Sequence, residues 1–131
     1  MSEWYYKGQQ FTEPGDYYGF VYVITNLTNS RKYIGKKFFW SKKRKQVNKK
    51  RKSYIIESDW RSYWSSSEEL KADVLLLGET NFSREILHLC PSKGTTNYYE
   101  AKEQFLREVL EDSSNWYNSW IQVKVHKSHV K

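Results

Sequence analysis

The sequence predicts a single α+β domain. Three observations lead to this fold class: a tyrosine-bearing hairpin at residues 19–37, two segments of helical periodicity between residues 65 and 112, and an apolar strand between them. At 131 residues, 18% of them aromatic, the chain is long enough for one hydrophobic core and short for two domains. Residues 1–16 are expected to be a lead-in that ends in a turn at residues 14–16.

The hairpin is the most regular segment of the chain. Residues 20–25 alternate between two sets of side chains, as in a strand that buries one face and leaves the other partly wet. The run from Asn26 to Ser30 favours a turn, and a return strand follows through Tyr33. Gly19 and Gly35 bracket the hairpin, where a missing side chain allows backbone or ligand to approach closely.

A basic segment follows the hairpin. Residues 42–52 hold eight lysines and arginines, and the next acidic residue is Glu57. Alone, such a run indicates a solvated face or a disordered loop. Aromatic residues flank it on both sides, and they would hold a phosphate-binding loop against the body or stack on bases: Phe38, Phe39, Trp40, Tyr54, Trp60, Tyr63 and Trp64.

The first helix is predicted between Ser65 and Gly78. Ser66 and Glu69 have the spacing of a capping box, and Leu70, Val74 and Leu77 recur on one face, which we expect to be core. A strand is then expected at residues 82–90, because Ile86, Leu87 and Leu89 are too apolar for an exposed edge.

The second helix is predicted from an Asn97 cap to about Asp112, with Glu100 at the reciprocal capping position. Its two faces differ. One is apolar, with Tyr98, Ala101, Phe105 and Val109, and the other is a polar row of Glu100, Gln104 and Arg107. A short strand at residues 121–125 and a basic tail are expected to end the chain, so that residues 122–131 form a separate strand and tail.

The charge balance limits the classes of partner. A net charge of +7 favours a polyanion, without separating DNA, RNA and anionic lipid. Neither an apolar run of transmembrane length nor a lipid-facing stripe is seen, so no membrane role is expected. The single cysteine, Cys90, favours a reducing, cytoplasmic setting, and His126 and His129 indicate a basic tail more than a metal site.

The hairpin resembles the signature of the GIY-YIG nuclease family, here written Gly19-Phe20-Val21-Tyr22 and Tyr33-Ile34-Gly35, with ten residues between the two tyrosines. The order of elements and the pair Tyr117-Asn118 are similar to the phage-encoded, Seg-like homing endonucleases of that family. The resemblance covers residues 17–121, with 42–52 as a basic insertion, and implies a small three-stranded antiparallel sheet flanked by helices.

The resemblance also implies the site residues. Tyr22 would lie beside the attacking water as a general base or proton relay, with its pKa lowered by Lys36, Lys37 or Arg44. Tyr33 would orient water or phosphate. A glutamate would hold one divalent ion, Mg²⁺ or another such as Mn²⁺, and Glu100 is preferred over Glu103.

The resemblance predicts two further roles, one for an arginine and one for Asn118. Either Arg44 or Arg61 would be the catalytic arginine, and both stay open. Asn118 would steady the site, contact phosphate or simply close a turn. DNA phosphates are expected to meet Lys36, Lys37, Lys42, Lys43, Lys45, Lys49, Lys50, Arg51, Lys52 and Asn118.

The sequence therefore predicts a metal-dependent DNA endonuclease without a small-molecule cofactor. The alternatives are a nucleic-acid-binding module that kept the hairpin but not turnover, and an RNA-binding structural protein. A homodimer is expected for double-strand cleavage, and the resemblance implies an intracellular phage protein in a bacterial host.

Overall fold

The computed structural model describes residues 3–47, 50–123 and 127. The described part of the chain contains seven strands, two α-helices and two short 3₁₀ turns. In chain order the strands and α-helices are β1 (Trp4–Tyr6), β2 (Gln9–Gln10), β3 (Gly19–Asn26), β4 (Lys32–Phe38), β5 (Trp40–Val47), β6 (Lys50–Glu57), α1 (Glu68–Leu77), β7 (Phe82–Cys90) and α2 (Lys93–Leu106). The predicted α+β class is confirmed.

The main sheet has five strands in the order β2-β1-β7-β3-β4, so the predicted three-stranded sheet is wrong in strand number. The three expected strands form one side of it, with β3 antiparallel to both β4 and β7. The additional strands come from the expected lead-in, because β1 pairs parallel to β7 and antiparallel to β2. Trp4 explains this pairing: it is buried, and its ring meets Phe20 at a centroid distance of 4.9 Å.

The predicted hairpin is present, and its register places Tyr22 opposite Gly35 and Ile24 opposite Tyr33. Strand β3 buries both faces, not one. Phe20, Tyr22 and Ile24 belong to one core, whereas Val21 and Val23 belong to a second core on the other side of the sheet.

The basic segment is a β-ribbon instead of a loop. Strands β5 and β6 pair only with each other, and they place Lys42 opposite Ile55 and Lys43 opposite Tyr54. The flanking aromatics fix the ribbon to the body, since Phe39 and Trp60 are buried with perpendicular rings 5.0 Å apart. Lys49 lies outside the described residues, as do the side chains of Lys45, Arg51 and Lys52.

Both helices begin at caps other than those predicted. Helix α1 follows Ser67, whose hydroxyl accepts from Leu70 N at 3.2 Å, and the expected Ser66–Glu69 capping box is not formed. Helix α2 follows Ser92, which accepts from Thr95 N at 3.1 Å. Asn97 is therefore inside the helix and is not its cap.

The faces of the helices also differ from expectation. In α1, Leu70 and Val74 are buried as predicted, but Leu77 is 38% exposed. In α2, Gln104 from the polar row is buried, whereas Phe105 from the expected apolar face is 58% exposed. Gln104 is buried because the polar side of α2 faces the edge of β4 and a cleft.

The chain after α2 returns to the sheet. Tyr117 is buried beside α1 and donates to Asp73 at 2.6 Å. Residues 121–123 are not in a strand, and the rest of the expected terminal strand, with His126 and His129, lies outside the described residues. Among the helices in the described ranges, none is long and apolar enough to span a membrane.

Candidate active site

An open cleft of about 520 Å³ lies where the hairpin meets α2. The structure brings four predicted site residues to this cleft although they come from distant parts of the chain: Tyr22, Tyr33, Lys36 and Glu100. Residues that the sequence did not single out as site residues also line it, among them Tyr63, Ser66 and Tyr117. The hairpin therefore supplies two tyrosines and a cation, and α2 supplies a carboxylate.

Tyr22 and Tyr33 project to the same face of the sheet, with ring centroids 6.3 Å apart. The Tyr22 and Tyr63 rings meet edge to face with centroids 6.2 Å apart, and each hydroxyl shifts the pKa of the other. The Tyr33 hydroxyl lies 3.3 Å from the Ser66 hydroxyl and is hydrogen-bonded to it. These four hydroxyls lie along the cleft, and we call them the hydroxyl chain.

Burial decides the ionisation of the tyrosines. It raises the pKa of Tyr22 well above its ordinary value, and the neighbouring Tyr63 and Tyr33 hydroxyls act in the same direction. Burial also raises the pKa of Tyr33. The expectation that cations lower the pKa of Tyr22 is wrong, and the Tyr22 phenol is protonated at neutral pH.

Tyr63 is the main site residue that sequence reasoning missed. It follows the short 3₁₀ turn Trp60–Ser62, and the Lys37 ammonium lies over its ring at 4.2 Å. Arg84, buried between two tryptophan rings, donates to the Tyr63 carbonyl at 2.9 Å. The chain has eleven tyrosines, and nothing in the sequence marks Tyr63 apart from its place after the basic segment.

Gly35 makes room for the tyrosines. A Cβ built on Gly35 would lie 2.5 Å from the Tyr22 hydroxyl oxygen and 2.8 Å from Cε2 of Tyr33. Gly19 is similarly enclosed, since a Cβ there would lie 2.9 Å from the Thr96 hydroxyl oxygen. The two glycines of the motif are required by close approach, as expected from the sequence.

Glu100 and Lys36 face each other across the cleft. Lys36 Nζ lies 3.6 Å from Glu100 Oε1 and donates to the amide oxygen of Asn97. Burial raises the pKa of Glu100, and the Lys36 ammonium opposes this without cancelling it. The Glu100 carboxyl group, 14% exposed, places its oxygen atoms at the wall of the cleft.

Glu103 is directed elsewhere. Its carboxylate oxygens are bound by His88 Nε2 at 2.7 Å and Arg107 Nε at 2.8 Å, and it does not line the cleft. Burial would raise the pKa of Glu103, but these hydrogen bonds together hold it below the ordinary value. Of the two predicted metal ligands, Glu100 is the one beside the tyrosines.

Neither predicted arginine lines the cleft. Arg61 is paired with Glu57 at 2.8 Å and Glu13 at 3.6 Å, and its guanidinium packs over Trp60. Arg44 is an exposed residue of the β5 ribbon strand, opposite Ser53. The predicted Lys37 is paired with Asp59 at 2.6 Å, so Lys36 is the described cation nearest to Glu100.

Asn118 steadies the hairpin. Its amide accepts from Ile34 N at 3.1 Å and donates to Ile34 O at 2.8 Å, as a neighbouring strand would do. Gln104 Nε2 also donates to Ile34 O, at 2.9 Å. Because Asn118 is buried and both ends of its amide are used, its predicted phosphate contact is not supported by this geometry.

The comparison with protein families agrees with this arrangement. Residues 4–121 match the model of the family described as "Putative endonuclease segE, GIY-YIG domain". The chain belongs to the GIY-YIG endonuclease family. The match begins at Trp4, so the family domain includes the additional strand β1.

A relative from Enterobacteria phage T4, named "Putative endonuclease segE", is 32% identical over 101 residues. The match covers 77% of this chain and 40% of the relative, so the GIY-YIG chain spans less than half of that protein's length. No solved structure matches.

A divalent ion fits the GIY-YIG site described here. Within the described ranges no group of three or more His, Cys, Asp or Glu residues could enclose a metal. Mg²⁺ does not need such a cage, since it commonly binds one or two carboxylates and completes its shell with water and phosphate. Glu100 supplies one oxygen donor, and Gln104 Oε1, on the next turn of α2, is buried without a partner among the described groups.

Proposed function

We propose that this GIY-YIG domain is a metal-dependent endonuclease that hydrolyses phosphodiester bonds of DNA in the cleft between the hairpin and α2. The observation that carries the proposal is the meeting of Tyr22, Tyr33, Lys36 and Glu100 at one cleft. Membership in an endonuclease family and a net charge of +7 support a polyanionic substrate.

Glu100 would hold the ion, which is Mg²⁺ or another divalent ion such as Mn²⁺. When bound, it supplies positive charge that polarises the phosphate and stabilises the leaving oxygen. Glu100 suits this role because its only described cationic neighbour, Lys36, lies 3.6 Å away, beyond an ordinary hydrogen bond.

Tyr22 would take the proton of the attacking water. Its raised pKa excludes a resting tyrosinate, so it acts as a relay that accepts one proton while it passes its own to Tyr63. Tyr63 is only partly buried, whereas Tyr22 is fully buried, so Tyr63 would pass the proton outward along the hydroxyl chain. The water oxygen becomes bonded to phosphorus as the bond to the leaving oxygen breaks.

Lys36 would stabilise the charge that develops on phosphate oxygens. Its ammonium is fixed by Asn97 and Glu100, so it is oriented before substrate binds. Tyr33, hydrogen-bonded to Ser66, would orient the water or phosphate from the second strand. A homodimer for double-strand cleavage stays a prediction, which sedimentation of the protein with one bound duplex would check.

Nicking of a supercoiled plasmid tests the proposal. Wild type with Mg²⁺ is expected to convert supercoiled DNA to open circles, and Tyr22→Phe and Glu100→Gln are expected to reduce the rate at least 100-fold. Glu103→Gln is the matched control because it removes a carboxylate from the same helix outside the cleft. Equal nicking by wild type and a Tyr22→Phe/Glu100→Gln variant would overturn the enzyme proposal, and unchanged DNA binding in that case would favour a non-catalytic module.

A further inference from the structure

We propose that the β5–β6 ribbon enters the major groove of duplex DNA and so sets which phosphate reaches the cleft. This inference rests on the proposed function for its substrate. The ribbon has the correct form, because the major groove of B-DNA, about 12 Å wide, admits a two-stranded β-ribbon. Its eight backbone pairs correspond to a length of roughly 27 Å, at about 3.4 Å per residue.

The ribbon is charged for a polyanion. Lys42, Lys43 and Arg44 on one strand and Lys50 on the other are exposed. No acidic residue occurs from Lys42 to Ile56. The one ribbon carboxylate, Glu57, lies at the base opposite Trp40 and is paired with Arg61, so the rest of the ribbon presents no negative charge to a phosphate.

Apolar side chains stand beside these cations. Tyr54, Ile55 and Ile56 are 46%, 70% and 41% exposed. The register places Ile55 opposite Lys42 on one face of the ribbon and Tyr54 opposite Lys43 on the other. Both faces therefore combine a cation with an apolar group.

This pattern favours a groove over a lipid surface. The major groove offers partners for both kinds of group, because cations contact phosphates and guanine edges and apolar groups contact thymine methyls. A ribbon lying on an anionic membrane would have its apolar residues on one face only.

The base of the ribbon is fixed relative to the cleft. Strand β4, which carries Tyr33 and Lys36, leads through buried Phe39 directly into β5. At the base, Trp40 Nε1 donates to Tyr17 O at 3.0 Å and Ser58 N donates to Phe39 O at 2.8 Å. A duplex held by the ribbon is thus held at a defined distance from Tyr22 and Glu100.

Affinity for a fluorescent duplex tests the charges. All proteins carry Glu100→Gln and are measured without metal, so that cleavage does not interfere. Lys42→Gln/Lys43→Gln/Arg44→Gln is expected to weaken binding at least tenfold and to lower the slope of log K against log salt by about 2 to 3. The control Lys71→Gln/Lys93→Gln/Lys102→Gln removes the same charge from α1 and α2, and it is expected to change affinity less than threefold. Equal effects of the two triple variants, both folded by circular dichroism, would overturn the proposal.

Blocking the groove tests the geometry. Bulky substituents at pyrimidine C5 project into the major groove. They are expected to weaken duplex binding at least tenfold for the protein with the native ribbon sequence. They should have little further effect on the Lys42→Gln/Lys43→Gln/Arg44→Gln variant. A-form duplex RNA, whose major groove is deep and narrow, is expected to bind more weakly than DNA of the same sequence. The proposal would be overturned if the C5 substituents left duplex affinity unchanged, or if the protein bound vesicles containing anionic lipid more tightly than duplex DNA. These binding results do not depend on DNA cleavage. If plasmid nicking failed but binding still depended on the major groove, the nuclease proposal would be rejected and the proposed role of the ribbon would be retained.

Discussion

Gly35 and Tyr22 face each other in paired strands, and the Tyr22 hydroxyl occupies the space where a Gly35 side chain would be. This relationship explains why the second half of the GIY-YIG motif ends in glycine. The site is built from backbone proximity as much as from the chemistry of its tyrosines.

Gly35→Ala is expected to destabilise the domain and inactivate it. The new Cβ would lie 2.5 Å from the Tyr22 hydroxyl oxygen and 2.8 Å from its ring carbon, so Tyr22 must move. We expect a loss of about 1 to 3 kcal/mol in the free energy of unfolding, measured by urea denaturation. The double variant Gly35→Ala/Tyr22→Phe removes the closest contact and is expected to recover part of this stability without recovering nicking. No loss of stability in Gly35→Ala would contradict the geometry.

Tyr63→Phe is expected to slow nicking by about 10²- to 10⁴-fold, because it removes the hydroxyl that would receive the proton from Tyr22 in the proposed relay. Duplex affinity and thermal stability should change little, since the ring and its contact with Lys37 remain. Tyr5→Phe, at an exposed position of β1, is the control and should nick like wild type. An active Tyr63→Phe would show that protons leave Tyr22 by another route.

Glu100→Gln and Glu103→Gln are expected to change metal-free stability in opposite directions at neutral pH. The pKa of Glu100 is raised in the folded state, so its ionisation opposes folding and stability falls as pH rises from the ordinary value of 4.5 through the raised pKa. The pKa of Glu103 is lowered in the folded state, so its negative charge stabilises the fold at pH values above 4.5. This contribution is lost as the pH falls through the lowered pKa.

Thermal melts at pH 7.5 and pH 3 measure both effects. At pH 7.5, Glu100→Gln should melt above wild type and Glu103→Gln below it, the latter by about 1 to 3 kcal/mol in stability because two charged hydrogen bonds are lost. At the lower pH both differences should shrink. Destabilisation by Glu100→Gln at pH 7.5 would contradict the burial assigned to that carboxylate.

Asn118→Ala is expected to lower stability by about 2 to 3 kcal/mol, since it leaves the Ile34 N–H unpaired at the sheet edge. Duplex affinity, measured by anisotropy below the melting transition, should stay within threefold of wild type. Ser113→Ala, at an exposed position of the same segment outside the cleft, is the control for both quantities. A tenfold loss of affinity without a loss of stability would restore Asn118 as a phosphate contact.

Local patterns in the sequence predicted the parts of the fold that depend on near neighbours. The alternation in β3, the turn at Asn26 and the apolar run of β7 were sufficient for the hairpin and the third strand. The polar position of Glu100 on its helix also identified a carboxylate that reaches the cleft.

Other features depend on partners that sequence separation conceals. Trp4 joins β7 at Arg84, and a parallel pairing of residues so far apart has no local signal. The helix starts were wrong because serines compete for the cap, and Ser67 lies next to the predicted Ser66. Tyr63 was missed for the same physical reason as Trp4, since only the folded chain brings its hydroxyl to Tyr22.

An anomalous difference map from a wild-type crystal containing Mn²⁺ shows whether Glu100 holds a divalent ion beside Tyr22. We expect a manganese peak within about 2.5 Å of a Glu100 carboxylate oxygen, and no such peak in a Glu100→Gln crystal. A peak at Glu103 in both crystals, with none in the cleft, would contradict this expectation.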